Sequence, residues 1–288
     1  KSRIAPFIGE IPISKLTPVV LQKYYNDSVN GKLKGVDAVS PKTVKNVHGI
    51  IHKALSQAVT VGYIRANPSS GCILPKVIKK EMNVLDEEQT KSFIKALEKE
   101  PFRRLFLVAL FTGMREGELL GLSWDSIDFK RGTINIYQQL QRHDGTLQLF
   151  PPKNSKPRTI TSAPHVMDLL LEERAEQTQK RLKAGCLWAN DNNFVFTAED
   201  GRCLNQQWVN KRFKRIINEI GLNSIRFHDL RHSYAVAALR AGIDVKTVST
   251  NLGHATVAFT LDVYAHVTDA MKQESAEKMQ AYIKSLNI

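Results

Sequence analysis

Residues 227–232 read FHDLRH, and this stretch organises the reading of the whole chain. On a helix it sets His228 and Arg231 at i and i+3 on one face, with His232 beside His228 at i+4. An imidazole next to a guanidinium favours a phosphate over a cation, because arginine grips phosphate oxygens with forked hydrogen bonds. Histidines at i, i+4 also suit a metal, but no third ligand is spaced nearby and the stretch lacks the glutamate of an HExxH site. The plainer alternative is a helix with solvated polar residues. Helix signals along the rest of the chain set the expectation of a mainly helical fold.

Three other segments hold residues of matching chemistry. In TGMREGEL, residues 112–119, Arg115 opens a helix where a cation opposes the dipole unless an anion lies close. A surface pair with Glu118 explains it equally well, and Glu118 reads as a buttress rather than an acid or base. In PPKNSKPRTI, residues 151–160, Lys153 lies in the turn before a strand that starts at Arg158, and Lys156 competes with it on position. In LGHATVAFTLDVY, residues 252–264, Gly253 ends a helix, His254 follows, and Tyr264 comes ten residues later. A lone tyrosine is usually core, and Tyr234 and Tyr282 are rival nucleophiles on chemistry alone.

The chain has 288 residues, 42% of them apolar, enough for two domains with real cores. No apolar run spans a bilayer and no signal peptide opens the chain; it starts at Lys1 and reads as a fragment or processed form. Cys72, Cys186 and Cys203 have neither CxxC spacing nor a histidine cluster nearby, which argues against a zinc site or disulfide framework and fits a reducing cytoplasm. The net charge of +13 is unevenly spread: residues 1–80 hold 13 Lys/Arg against 3 Asp/Glu, residues 81–288 hold 28 against 25. Charge concentrated in one small unit points to a polyanion, since neutralising phosphates releases counterions. Membrane binding is disfavoured, as no basic amphipathic helix with an aromatic face stands out.

Thr17-Pro18 and Ser40-Pro41 are paired N-cap and first-turn signals. They open helices over about 18–29 and from 41 to near Gly62, the second with Val44, Val47, Ile51, Leu55 and Ala58 on one stripe and Lys42, Lys45 and Lys53 off it. Residues 1–75 thus form a small helical bundle with a basic exterior. Asn67 to Lys80, with Pro68, Gly71, Pro75, Lys76, Lys79 and Lys80, reads as an extended basic linker that runs into residues 76–84. A second domain, 85–288, starts where Asp86 caps a helix; Phe102 to Phe111 is a buried helix. Short strands are expected at 133–140, 146–150 and 158–161 with Asp144-Gly145 as a turn, then helices at about 164–183, 206–220, 228–241, 244–252 and 269–285. That is a mostly helical domain with a small antiparallel sheet.

Taken in order, these motifs resemble the tyrosine recombinases, or phage-type integrases, and within them those of Gram-positive conjugative transposons and related phages. The resemblance covers nearly the whole chain and implies a helical core-binding domain followed by the tyrosine recombinase catalytic fold. It matches Arg115 to the first catalytic arginine with Glu118 as its acidic neighbour, and Lys153, ahead of Lys156, to the hairpin lysine. His228 and Arg231 match the HxxR box, His254 the His/Trp position, and Tyr264, ahead of Tyr234 and Tyr282, the nucleophile.

The implied reaction is site-specific DNA integration and excision through a 3′-phosphotyrosyl bond, with no metal or other cofactor because the arginines carry the charge. Lys153 protonates the leaving 5′-oxygen, His228 helps take the tyrosine proton, and His254 bonds a non-bridging oxygen. Lys42, Lys45, Lys53, Lys76, Lys79 and Lys80 contact phosphate, and the two domains clamp duplex DNA. Further implications are a DNA-bound tetramer, an excisionase, a host DNA-bending protein, a bacterial cytoplasmic, nucleoid-associated location, and an N-terminal arm-binding domain removed from this chain. The helix over 269–285, with Met271, Ala276, Met279, Tyr282 and Ile283, packs on a neighbouring protomer in this reading. A type IB topoisomerase-like relaxing enzyme and a non-catalytic DNA-binding regulator are the alternatives.

Overall fold

The computed structural model describes residues 3–78, 82–153, 156–264, 279–280 and 283–286. The chain divides into two compact units, Lys1–Glu81 and Met82–Ile288.

The first unit is built on α1 (Ala5–Ile8), α2 (Pro18–Val29) and α3 (Pro41–Thr60). Thr17 and Ser40 cap the longer two, their hydroxyls accepting from the backbone N–H groups of Val20 and Thr43. The α3 stripe of Val44, Ile51, Leu55 and Ala58 is buried, and its first three residues pack with Leu21, Tyr24 and Tyr25 of α2. The segment from Asn67 is not yet a linker, contrary to the expectation from its Pro, Ser and Gly content. Its start is a 3-10 turn, Pro68–Gly71, tied into α3. The Asn67 amide donates to the His52 carbonyl (3.0 Å) and the Ser56 hydroxyl (2.8 Å), and Ser69 is fully buried. Gln22 then holds both backbone groups of Ile73, at 2.7 and 3.0 Å. Backbone polar groups satisfied by side chains order a stretch whose composition alone reads as extended.

The second unit starts before Leu85. The Asn83 amide donates to the Ser224 carbonyl (2.9 Å), and Leu85 N–H to the Ser233 hydroxyl (2.8 Å). A reciprocal Asp86–Gln89 capping box then opens α4 (Glu87–Ala96). The apolar α5 (Arg103–Thr112) is buried from Leu105 to Leu110 and turns sharply into the short α6 (Glu116–Leu120).

Two small antiparallel sheets follow instead of one. The first is ordered β1 (Ile127–Asp128), β2 (Thr133–Ile136) and, beyond it, β5 (Arg158–Thr161), with Ile134 opposite Ile160. The second is the hairpin of β3 (Gln139–His143) and β4 (Thr146–Phe150), closed by Asp144 and Gly145, both at positive φ. The single strand expected over 133–140 breaks at Tyr137-Gln138, where the Gln138 amide donates to the Gly121 carbonyl (2.8 Å). From there the chain runs against α6 so closely that a Cβ at Gly117 or Gly121 would lie 2.9 or 2.8 Å from the Leu140 backbone. The two glycines, four apart, are what let β3 leave the first sheet.

Helices α7 (Pro164–Ala184), α8 (Gln206–Glu219), α9 (Phe227–Arg240), α10 (Val245–Leu252) and α11 (Val257–Val263) complete the described residues. Helix α11, capped by Thr256, lies in a stretch for which no helix was expected. The main core gathers α4, α5, α8 and the first sheet, and a smaller one joins α9, α10 and Tyr264. The helix expected over 269–285 lies outside the described residues except at 279–280 and 283–285.

Candidate active site

The corner between α5 and α6, the first turns of α9 and the segment from α10 to Tyr264 converge in the second unit. Helix α5 ends at Gly113, in the left-handed region at φ +63°, where a Cβ would lie 2.5 Å from the Tyr234 ring. That turn delivers Arg115 to the start of α6. Its backbone N–H donates to Glu118 Oε2 (2.9 Å), its guanidinium to Glu118 Oε1 (2.8 Å) and to the Gly253 carbonyl (3.1 Å).

Glu118 is 1% exposed and has a second partner. Arg158, at the head of β5, donates bidentately to both Glu118 oxygens at 2.8 and 2.6 Å and through Nε to the Asn251 carbonyl (2.8 Å). Burial alone would raise the carboxyl, but the Arg158 hydrogen bonds and charge, with Arg115 added, hold it at about 2. Glu118 is therefore an ionised buttress between two guanidinium groups.

Arg231 is 3% exposed. Its donors go to the Gly113 carbonyl (2.8 Å) and to the Leu252 carbonyl, and among the described residues no carboxylate pairs with it. Burial first, then the like charge of Arg115, presses its guanidinium down to about 9, still cationic at neutral pH. Two guanidinium groups thus share one carboxylate, a third has none, and all three cap carbonyls at the ends of α5 and α10. The surplus positive charge, held in a site shielded from water, suits an anion.

Asp229, fully buried, fixes the start of α9 by accepting from the Arg226 backbone (2.8 Å) and guanidinium (2.8 Å). His228 is exposed in that first turn, and surrounding protein followed by the Arg231 charge lowers its imidazole below the usual range. His254 Nδ1 lies 2.8 Å from the Thr260 hydroxyl; burial, then Arg231 and Arg115, lowers it to about 3. Tyr264 caps α11 at 1% exposure. Burial raises its phenol to about 12, opposed by the Arg231 charge. Its hydroxyl lies 2.8 Å from His232 Nδ1.

The structure joins Arg115 and Glu118 by hydrogen bonds and sets Arg231, His254 and Tyr264 within the same positive field through separate partners, with His228 exposed beside them. It does not bring in Lys153, which is exposed in the turn between β4 and β5, as is Lys156. Tyr234 has its hydroxyl taken by the Asn251 amide (3.2 Å), and Tyr282 lies outside the described residues. Lys42, Lys45, Lys53 and Lys76 are exposed on the first unit; Lys79 and Lys80 lie outside the described residues. Two residues that the sequence reading left without a role are central here, Arg158 and His232. The signal for the second was present in its i+4 spacing from His228; for the first there was only a charged residue opening a strand. Among the described residues no helix is long and apolar enough to cross a membrane.

A family model described as the phage integrase family matches residues 83–271, and one described as the phage integrase N-terminal SAM-like domain matches residues 1–28. The chain is 31% identical over 286 residues to a tyrosine recombinase XerC-like protein of Caldanaerobacter subterraneus, covering 93% of this chain and 71% of that protein. It is 28% identical over 246 residues to the ICEBs1 integrase of Bacillus subtilis, covering 84% and 66%. Among solved structures, the Tn1549 transposon integrase in complex with a circular intermediate DNA matches with a TM-score of 0.77 at 22% identity, over 93% of this chain and 87% of that one. At that identity the likeness is one of fold.

Proposed function

The chain belongs to the phage integrase family and is a tyrosine-type site-specific recombinase, and from that premise we propose that it integrates and excises a mobile element with Tyr264 as nucleophile. The observation that carries the assignment is the placement of the Tyr264 hydroxyl within the field of Arg231, on the same scaffold that fixes Arg115 and His254. Relaxation of supercoils and binding without catalysis have no specific observation in their favour.

In this reading a DNA phosphate enters beside Arg115 and Arg231, whose charge stabilises the pentacoordinate phosphorus. His254 bonds a non-bridging oxygen. Tyr264 attacks, a 3′-phosphotyrosyl bond forms, and Lys153 protonates the departing 5′-oxygen. Bond energy is kept in the protein–DNA link, so resealing needs no nucleotide. Lys42, Lys45, Lys53 and Lys76, with Lys79 and Lys80, contact phosphate and contribute affinity rather than sequence readout. Four protomers on synapsed DNA, and partners such as an excisionase or a DNA-bending protein, follow from kinship.

A nicked suicide substrate carrying the element's end tests the reading. Wild-type protein forms a covalent adduct, and Tyr264→Phe binds the DNA without forming one. Tight binding with no wild-type adduct contradicts catalysis, and adduct on any duplex without a partner site contradicts recombination in favour of relaxation.

A further inference from the structure

One contact in the site has no part in that reaction. The Tyr264 hydroxyl does not meet His228, the histidine to which the sequence reading gave its proton; it meets His232 Nδ1 at 2.8 Å. His228 stands behind, its ring edge-on to that of His232 with centroids 5.1 Å apart. At 1% exposure Tyr264 has no bulk water to ionise into, and among the described residues His232 is its one side-chain hydrogen-bond partner. We propose that His232 receives the phenolic proton of Tyr264 and is a catalytic residue of the cleavage step.

The inference rests on Tyr264 being the nucleophile. As the phenolic oxygen bonds to phosphorus, its proton passes to His232 Nδ1. The P–O5′ bond breaks, and the departing oxygen takes a proton from Lys153. In resealing, the 5′-hydroxyl returns its proton to Lys153 as its oxygen bonds to phosphorus, the phosphotyrosyl bond breaks, and the imidazolium returns its proton to the phenol. For Nδ1 to accept, the neutral ring carries its hydrogen on Nε2. Burial, followed by the neighbouring His228, holds the His232 imidazole at about 4, so the ring is neutral at pH 7 with Nδ1 open to a hydrogen bond from the phenol. The phenol at about 12 keeps the proton on oxygen until a phosphate is in place. The charged groups around His232 are Arg231, Arg226 and Asp229, and the Arg231 charge favours the phenolate that forms.

The test compares His232→Ala and His232→Asn with wild type for single-turnover cleavage of a suicide substrate, with DNA affinity measured in parallel. Asparagine places an oxygen near Nδ1, which accepts a hydrogen bond but cannot hold the proton. Both variants are expected to lose about 100-fold or more in rate while binding DNA normally. Replacing Tyr264 with a difluorotyrosine, a more acidic phenol, should narrow the His232→Asn defect about tenfold, because a weaker base then suffices. If His232→Asn cleaves within about threefold of wild type, or its defect is the same with both phenols, proton uptake by His232 is overturned. Should His232→Ala fail to fold, His232→Asn alone decides. Absence of any adduct on wild-type Tyr264 would instead be a failure of the recombinase mechanism, and the two results cannot be confused.

Discussion

Arg231 and Lys153 each bring a positive charge to the proposed reaction, yet the fold treats them in opposite ways. Arg231 is 3% exposed and pinned by the Gly113 and Leu252 carbonyls; Arg115 and Arg158 are pinned likewise by Glu118, Gly253 and Asn251. Lys153 stands exposed in a turn. The group that must hold a phosphate is set before DNA arrives, because a preorganised charge has no reorganisation to undergo at the moment of reaction. The group that must deliver a proton only at bond breakage is left to be placed by the substrate. In the proposed mechanism the protein thus fixes its electrostatics and leaves its acid free.

The contrast can be broken by substitution on each side. Lys153→Ala should slow cleavage by about 10²–10⁴-fold with no change in melting temperature, and a 5′-phosphorothiolate leaving group, which needs no acid, should restore the rate. Failure of that rescue, with binding intact, removes Lys153 from the acid role. Arg231→Ala should slow cleavage about 10²–10³-fold and also lower the melting temperature, since two buried carbonyls lose their donor. An unchanged melting temperature would contradict the pre-assembled half.

A smaller effect concerns Glu118. Its folded carboxyl sits at about 2 against an ordinary 4.5, so its contribution to stability is fully present above about pH 4.5 and lost as pH falls toward 2. The difference corresponds to about 3 kcal/mol. Glu118→Gln should flatten the unfolding free energy across that window; an unchanged acid limb would show the carboxylate is not the anchor. The smallest effect lies in the first unit. Combined Lys42→Ala, Lys45→Ala and Lys53→Ala should weaken DNA binding and reduce the salt slope by about 0.9 for each phosphate that is no longer neutralised, leaving cleavage at saturation unaltered. A cleavage defect at saturation would mean those lysines do more than hold phosphate.

The sequence made the local parts of this architecture legible. Thr17, Ser40 and Asp86 announce helix starts because a cap is decided within three or four residues. The i, i+3 relation of His228 and Arg231 follows from one turn of helix. What stayed hidden depends on distant partners. Arg158 finds Glu118 across 40 positions of chain, and His232 finds Tyr264 across 32. The break at Tyr137-Gln138 comes from the glycine face of α6, and the order of Pro68–Gly71 from side chains of α3. Composition and periodicity carry no record of such pairings. The order of the motifs led to the family, while the contact of His232 rather than His228 with Tyr264 needed the fold.

Everything in the mechanism requires that the Tyr264 oxygen become bonded to DNA, and peptide mapping of the trapped adduct measures that bond. Digestion of the suicide-substrate complex to a single nucleotide, followed by mass spectrometry, should place a 3′-phosphate-linked nucleotide on Tyr264. Recovery of that nucleotide on Tyr234, Tyr282 or any other residue would contradict the mechanism.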